Sequence, residues 1–511
     1  MVQSVDTWGV QGSLLLLKLI VLLALATGLG AIAPAHGQDR ILHVAWSLQA
    51  PYQFLQSASE SDYVTGIDVA TFRQVAARMG FSVAMREVPW EQALEEVATG
   101  EVDAVLAAFR TADRERSGHF SVPLRISREK LFLPPGLHPE AATPEALLEA
   151  VGQAELRIGV VEGYELGRTF REFKELHPER VSEWPSLNEL FSALKADRID
   201  GFILDRFSGY RALDHHRLWR FEPHATAVFE APLGVLFSRK TVEPDLVQRF
   251  DSTLAQLHAE GETRAIQRRF VLPVMLDIAL YGAWFEAILI IGMIAFSISA
   301  VVIARNGGYS LYGALVLASL PAMGGGVVRD VLILREPYIF ESPVYVQIVL
   351  CTLIVGYLFN RLLDLLRGRS LLFFDLVHFT LMLRQRIKPQ LLLQVFDAAG
   401  MAAYSIAAIA VAVEFGRDPL WLWGPMLAVL TATGGAILRD MIRPDGANDI
   451  MRNASWGETV VLWCLPLSLY LQYFGHSAAP ETLFWALMIS MGGIFVTRMA
   501  FITFDWRAPR Y

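Results

Sequence analysis

The sequence is poor in cysteine: Cys351 and Cys464 are the only two in 511 residues, so no disulfide framework is implied. It has no basic excess either. Lys and Arg total 44 against 52 Asp and Glu, a net charge of −8, and no basic stripe carries interleaved aromatics. That balance argues against nucleic acid as a partner. A P-loop, a nucleophile elbow and a metal-spaced His or Cys cluster are all missing, so no enzyme, metal or cofactor is expected. The adjacent His215 and His216 read as loop residues rather than ligands. What the chain has in plenty is apolar side chains, 53% of the total, and they are unevenly placed. Residues 39–272 are mixed and charged, whereas apolar runs dominate from Met275 onward. At this length more than one domain is expected.

Lys18 precedes an apolar run, Leu19 to Ile32, and then Ala35-His36-Gly37. This pattern reads as a signal peptide over 1–37, cleaved before Gln38, with an uncleaved signal anchor as the alternative. Either version exports residue 38 onward, which implies a multi-pass protein of a bacterial inner membrane with its first domain in the periplasm.

Residues 38–272 alternate short apolar strands with amphipathic helices. ILHVAW (41–46), FSVAMREV (81–88), GEVDAVLAAF (100–109), ELRIGVV (155–161) and DGFILD (200–205) contain strands. Asp68 to Met79, Trp90 to Ala98 and LNELFSALKADR (187–198) are helical, which makes two α/β lobes in succession. APYQF (50–54), GIDVATFRQVAARMGF (66–81), VPWEQALEEVATGEVDAV (88–105), RTADRERSGHFS (110–121), RIGVVEGY (157–164) and EGETRAIQRRF (260–270) follow in an order that resembles the family 3 periplasmic solute-binding proteins. The resemblance implies a two-lobe, type II binding-protein fold that captures a polar amino acid. A guanidinium suits the ligand's carboxylate and an acidic side chain its ammonium. Arg114 matches the family's carboxylate clamp and Asp205 its ammonium-holding acid. Thr111 is a candidate hydroxyl contact, and Trp46, Tyr52 and Tyr164 are candidate aromatic contacts.

Seven apolar segments follow, near 281–303, 310–333, 343–365, 392–413, 419–441, 457–474 and 482–503. The Lys/Arg excess places residues 366–390 and the C-terminus in the cytoplasm. Within the second segment lies GGGVVRD (324–330), and within the fifth GGAILRD (434–440). Each sets glycines (Gly324, Gly325 and Gly326; Gly434 and Gly435) ahead of an Arg-Asp pair, Arg329-Asp330 and Arg439-Asp440. A charge near the bilayer centre costs roughly 2.5–3.5 kcal/mol on insertion scales, so the pairs need a role. GMIAFSISA (292–300) and GMAAYSIAA (400–408) precede the two copies. Segments two and five cross in opposite senses, which reads as an inverted duplication: repeat one at 281–365, repeat two at 392–474, and a last helix at 482–503. The glycines are expected to break their helices so that carbonyls face a pathway; the alternative is tight helix packing.

Residues 278–509 resemble the bacterial relatives of the trimeric intracellular cation channels, a group that includes proteins assigned as glycine transporters. The matching pieces include LYGALVLASLPAMGGGVVRDVLI (311–333), FDAAGMAAYSI (396–406), GPMLAVLTATGGAILRDMI (424–442) and VTRMAFITFDWRAP (496–509). The resemblance implies an all-α seven-helix membrane domain over 273–511, kinked second and fifth helices, a pore in each protomer and a homotrimer. Asp397 and Arg498 also match that family. LLFFDLVHFTLML (371–383) is expected to be an interfacial helix. The combined expectation is a permeation protein with a tethered amino-acid receptor, moving a small, glycine-like amino acid. The alternative is an amino-acid-gated channel for K⁺ or another monovalent cation.

Overall fold

The computed structural model describes residues 41–57, 62–366, 389–443, 455–504 and 506. The signal-peptide segment, the apolar piece at 371–383 and the loop at 366–390 beyond its ends lie outside the described residues.

Among the described residues the N-terminal half is built on eleven strands. In chain order they are β1 (Ile41–Trp46), β2 (Phe54–Ser57), β3 (Asp62–Thr65), β4 (Ser82–Glu87), β5 (Ala104–Phe109), β6 (Gly118–Phe120), β7 (Arg125–Leu133), β8 (Ile158–Val161), β9 (Val181–Trp184), β10 (Gly201–Asp205) and β11 (Glu222–Ser238). Nine form one sheet in the order β4-β1-β5-β11-β7-β10-β8-β9, with β6 beside β11; β2 and β3 make a separate hairpin. β1 pairs in parallel with β4 and β5, and β8 with β9 and β10. The long β11 runs antiparallel to both β5 and β7, so it ties the lobes together. Each lobe has its own core, Phe72 with Phe237 and Phe250 in the first, Leu131 with Ile158 and Ile203 in the second. Helix starts are fixed locally. Thr143 accepts from the Ala146 amide, Ser186 from Glu189 and Asp205 from Phe207 and Ser208, each supplying an acceptor to an otherwise orphaned N–H.

The helix Glu262–Leu280 leaves the first lobe and belongs to both halves of the molecule. At its start Glu262 pairs with Arg78, and Phe54 meets Phe270 edge to face, ring centroids 6.0 Å apart. Further along, Arg268 donates to the Gln472 carbonyl at 2.6 Å and to Asp418 at 2.8 Å. Val271, Leu272, Met275 and Leu276 are buried in one apolar cluster that runs from the second lobe into the membrane helices. Asp277, on this helix, faces Asp214, Glu414 and Arg211; burial first and the two carboxylates next push its pKa up to about 6. Its ionised form therefore destabilises the fold as pH rises from about 4 to 6, and fully so above that window. Asp277→Asn is expected to raise thermal stability at pH 7 by about 1–2 kcal/mol, after allowance for partial exposure, and to change little below pH 4. Equal melting temperatures at pH 7 would contradict this.

The membrane half contains Ala283–Asn306, then Leu311–Ser319 continuing through Leu320–Gly324 into Gly325–Leu332, then Val344–Leu366, Pro389–Glu414, Leu420–Ile442, Trp456–Phe474 and Pro480–Thr503. All seven expected segments are helical, but six are long and apolar enough to cross a membrane by length and composition. The exception is Trp456–Phe474, where Glu458 and Gln472 dilute the apolar run. The third helix exposes Ile354, Val355, Leu358 and Phe359, as a lipid-facing helix must. The expected glycine breaks differ from what forms. Helix five is continuous through Gly434 and Gly435. Helix two is irregular one turn earlier, where Leu320–Gly324 widens into a π turn around Pro321. Proline lacks an amide proton and crowds the preceding turn, which the wider turn accommodates.

Candidate functional site

Two sites emerge, one in each half. The first lies where β7 and β10 meet the loop after β1. β7 turns Arg125, Ser127 and Glu129 inward and leaves Ile126 and Arg128 outside. Glu129 stands opposite Asp205 in the antiparallel pairing, so the two carboxylates share one face of the sheet. Asp205 is buried, caps the helix Arg206–His216, and accepts a 2.6 Å hydrogen bond from the Tyr52 hydroxyl. That bond joins the lobes directly. Burial, then the Asp205 charge, raise the Tyr52 pKa well above its ordinary value, so the phenol stays a donor. Arg125 pairs with buried Asp68 through Nε at 3.1 Å and stacks over the Tyr52 ring.

Arg114 is half-buried, donates to the Phe109 carbonyl at 2.9 Å and lies 5.4 Å above the Trp90 ring. It makes no ion pair among the described residues, and burial pushes its pKa down. A partly desolvated guanidinium without a carboxylate is a receptor for an anion. Thr111 caps the helix Ala112–Ser117 by accepting from the Arg114 amide at 3.3 Å, so it positions the arginine. The Tyr164 hydroxyl sits near Glu129 and Asp205; burial and those charges raise its pKa to about 12. Trp46 is placed elsewhere, 3% exposed in the first lobe's core beside Val44 and Phe72. Sequence reading missed Arg125, Asp68 and Glu129. The available signal was the alternation in Arg-Ile-Ser-Arg-Glu, which puts charge on the sheet face opposite Ile126.

The second site is a cavity of about 210 Å³ in the membrane half. Pro321, Gly325, Gly326, Arg329, Tyr338, Tyr345, Tyr404 and Thr431 border it, with Arg335 at its rim. The helix ends nearest the rim carry Glu414, which pairs with Arg335, and Asp418, which holds Arg268 of the shared helix. The cavity therefore lies on the side of the membrane helices that meets the N-terminal half.

The two motif copies touch each other. A Cβ on Gly325 would sit 2.3 Å from the Thr431 carbonyl oxygen, and one on Gly435 2.2 Å from that of Leu320. Gly324 and Gly434 lie beside Gly435 and Gly325 respectively, and Gly326 admits the Tyr338 ring. Gly292 and Gly400 meet the same way, with a Cβ on Gly292 falling 2.6 Å from the Gly400 α-carbon. Around that second contact Phe296 stacks on Tyr404, and Ser297 and Ser405 each bond the carbonyl four residues back. Arg329 grips its neighbour Asp330 at 2.7–2.8 Å, and Arg439 grips Asp440 at 2.8–2.9 Å. Pairing within each dipeptide is how a buried charge is tolerated here. Asp330 also accepts from the Tyr338 amide at 3.0 Å, which fixes the loop over the cavity. Asp397 lies within charge reach of Arg439 and Arg498, and Arg498 covers the Trp456 ring at 4.8 Å. These residues form a second polar cluster, apart from the cavity lining.

Comparison with known proteins divides the chain at the same place. Residues 42–273 match the family described as bacterial extracellular solute-binding proteins, family 3. Residues 286–361 and 394–448 match the family described as glycine transporter. A UPF0126 membrane protein, YvgT, of Bacillus subtilis is 29% identical over 230 residues, which is 44% of this chain and 96% of that protein. The UPF0126 inner membrane protein YadS of Escherichia coli K12 is 24% identical over 223 residues, 43% and 93% of the two chains. Among solved structures, a histidine kinase sensor domain with similarity to periplasmic binding proteins aligns at 20% identity and a TM-score of 0.38, covering 46% of this chain and 96% of that one. The amino acid ABC transporter substrate-binding protein AbpA from Streptococcus pneumoniae, bound to L-arginine, aligns at 16% identity and a TM-score of 0.36, covering 44% and 92%.

Proposed function

Because the chain joins a family 3 solute-binding domain to a membrane domain of the glycine transporter family, we propose that it is an inner-membrane permeation protein with a tethered amino-acid receptor. The receptor, residues 38–272, captures a free amino acid between Arg114 and Asp205. The membrane domain, residues 273–511, passes a small, glycine-like amino acid through the cavity beside Arg329. The carrying observation is the shared helix Glu262–Leu280, which packs on both lobes' elements and on the membrane helices, so the receptor sits over the cavity.

The meeting of Gly325 with helix five and of Gly292 with Gly400 supports the reading of an inverted duplication. The reading includes a trimer, which the resemblance supports, and a periplasmic receptor, which the arginine distribution supports. The same helix favours a second reading, an amino-acid-gated cation channel. Lobe closure moves the helix, and the helix moves Asp418 and Gln472 at the cavity side.

Proteoliposomes loaded with labelled glycine or with a K⁺ reporter separate the two. Glycine flux without K⁺ flux is expected. K⁺ flux that appears only with amino acid present supports the channel instead, and neither flux overturns both.

A further inference from the structure

β7 buries polar side chains where a strand between two lobes ordinarily buries apolar ones. Of its three inward residues, Arg125 is committed to Asp68, and the Ser127 hydroxyl donates to Glu129 Oε1 at 2.8 Å. Glu129 is 5% exposed, and its Oε2 has no hydrogen-bond partner among the described residues. A buried carboxylate oxygen without a donor is costly, more so beside a second carboxylate. Asp205 is that second carboxylate, directly across the β7–β10 pairing. The zwitterion clamp of the proposed receptor uses Arg114 for the ligand's carboxylate and Asp205 for its ammonium. One acidic group remains over, Glu129, on the same sheet face as Asp205 and close to Tyr164.

We propose that the receptor's ligand is a dibasic amino acid, whose side-chain cation is held by Glu129. The proposal rests on the receptor reading above and names its ligand class. It also separates ligand from cargo: glycine has no second cation to offer Glu129.

The groups facing Glu129 explain how its burial is tolerated. On its own strand are Ser127 and Arg125, across the sheet Asp205, and after β8 Tyr164; Tyr52 and Asp68 stand behind through Arg125. Burial first, then the Asp205 charge, raise the Glu129 pKa to about 8, so a proton neutralises it in the absence of ligand. A ligand cation displaces that proton to solvent. Where Glu129 is protonated, binding of a dibasic ligand therefore releases a proton, and affinity rises with pH.

The test is calorimetry on the full-length protein in lipid nanodiscs, with glycine, alanine, lysine and arginine from pH 6 to 8.5. Lysine or arginine is expected to bind at least about tenfold tighter than alanine at pH 8. Heats should scale with the ionisation enthalpy of the buffer. Glu129→Gln keeps the shape and the Ser127 contact; it should lose both the preference and the proton release, while a thermal melt without ligand, matching that of the native protein, reports intact folding. Tighter binding of alanine or glycine by the native protein, or a preserved dibasic preference in Glu129→Gln, overturns the inference and leaves the receptor reading standing. No binding of any of the four overturns the receptor reading itself.

Discussion

Arg114→Ala is expected to abolish amino-acid binding while leaving the fold of both halves intact. The guanidinium makes no ion pair among the described residues and contributes one carbonyl contact, to Phe109, so its removal leaves little unsatisfied in the empty protein. In the liganded cleft the loss is large, because the ligand's carboxylate is then desolvated without a partner. Truncating one member of such a pair costs about 2–5 kcal/mol, at least about 30-fold in affinity. Titration calorimetry reads the affinity, and a thermal melt without ligand reads the fold. Unchanged affinity would remove Arg114 from the site. A collapsed melt would show instead that its contacts with Phe109 and Trp90 hold the lobe together.

A second large effect is expected at the helix crossing. Gly435→Leu and Gly325→Leu each drive a side chain into a carbonyl oxygen of the facing helix, at Leu320 and Thr431. Backbone cannot yield as a flexible side chain does. Even one inserted methyl in a close-packed contact costs about 1–3 kcal/mol, so Gly435→Ala should already weaken the membrane half. The leucine variants should lose the assembled membrane domain, seen as aggregation in size-exclusion chromatography. Amino-acid binding by the receptor half should persist. Well-folded leucine variants with normal elution would show that the crossing has slack that the distances deny. Folded variants that elute normally but carry no flux would restore the expectation of a glycine-lined constriction.

The contrast at these glycines shows where sequence reasoning stops. Consecutive glycines are compatible with a broken helix or with close approach, and the choice depends on what lies opposite. Here the opposite surface is the other copy of the motif, which no local argument places. The duplicated spacing of GMIAFS and GMAAYS and of the two Arg-Asp pairs was legible. In the receptor, the order of motifs carried Arg114 and Asp205 to neighbouring lobes. Arg125 and Glu129 were not legible from motifs because isolated charges in a strand resemble a solvated edge. Only the register with β10 turns them inward. Trp46, an aromatic at a strand end, lies in the core, where most buried tryptophans belong.

Ligand capture in the N-terminal half is proposed to govern permeation in the membrane half, through the helix both share. Flux of glycine and of K⁺ into proteoliposomes measures it most directly, with native protein and Arg114→Ala compared with and without saturating amino acid on the receptor side. Flux is expected to depend on the amino acid in the native protein and to lose that dependence in Arg114→Ala. Equal flux from both proteins, with or without the amino acid, would contradict it.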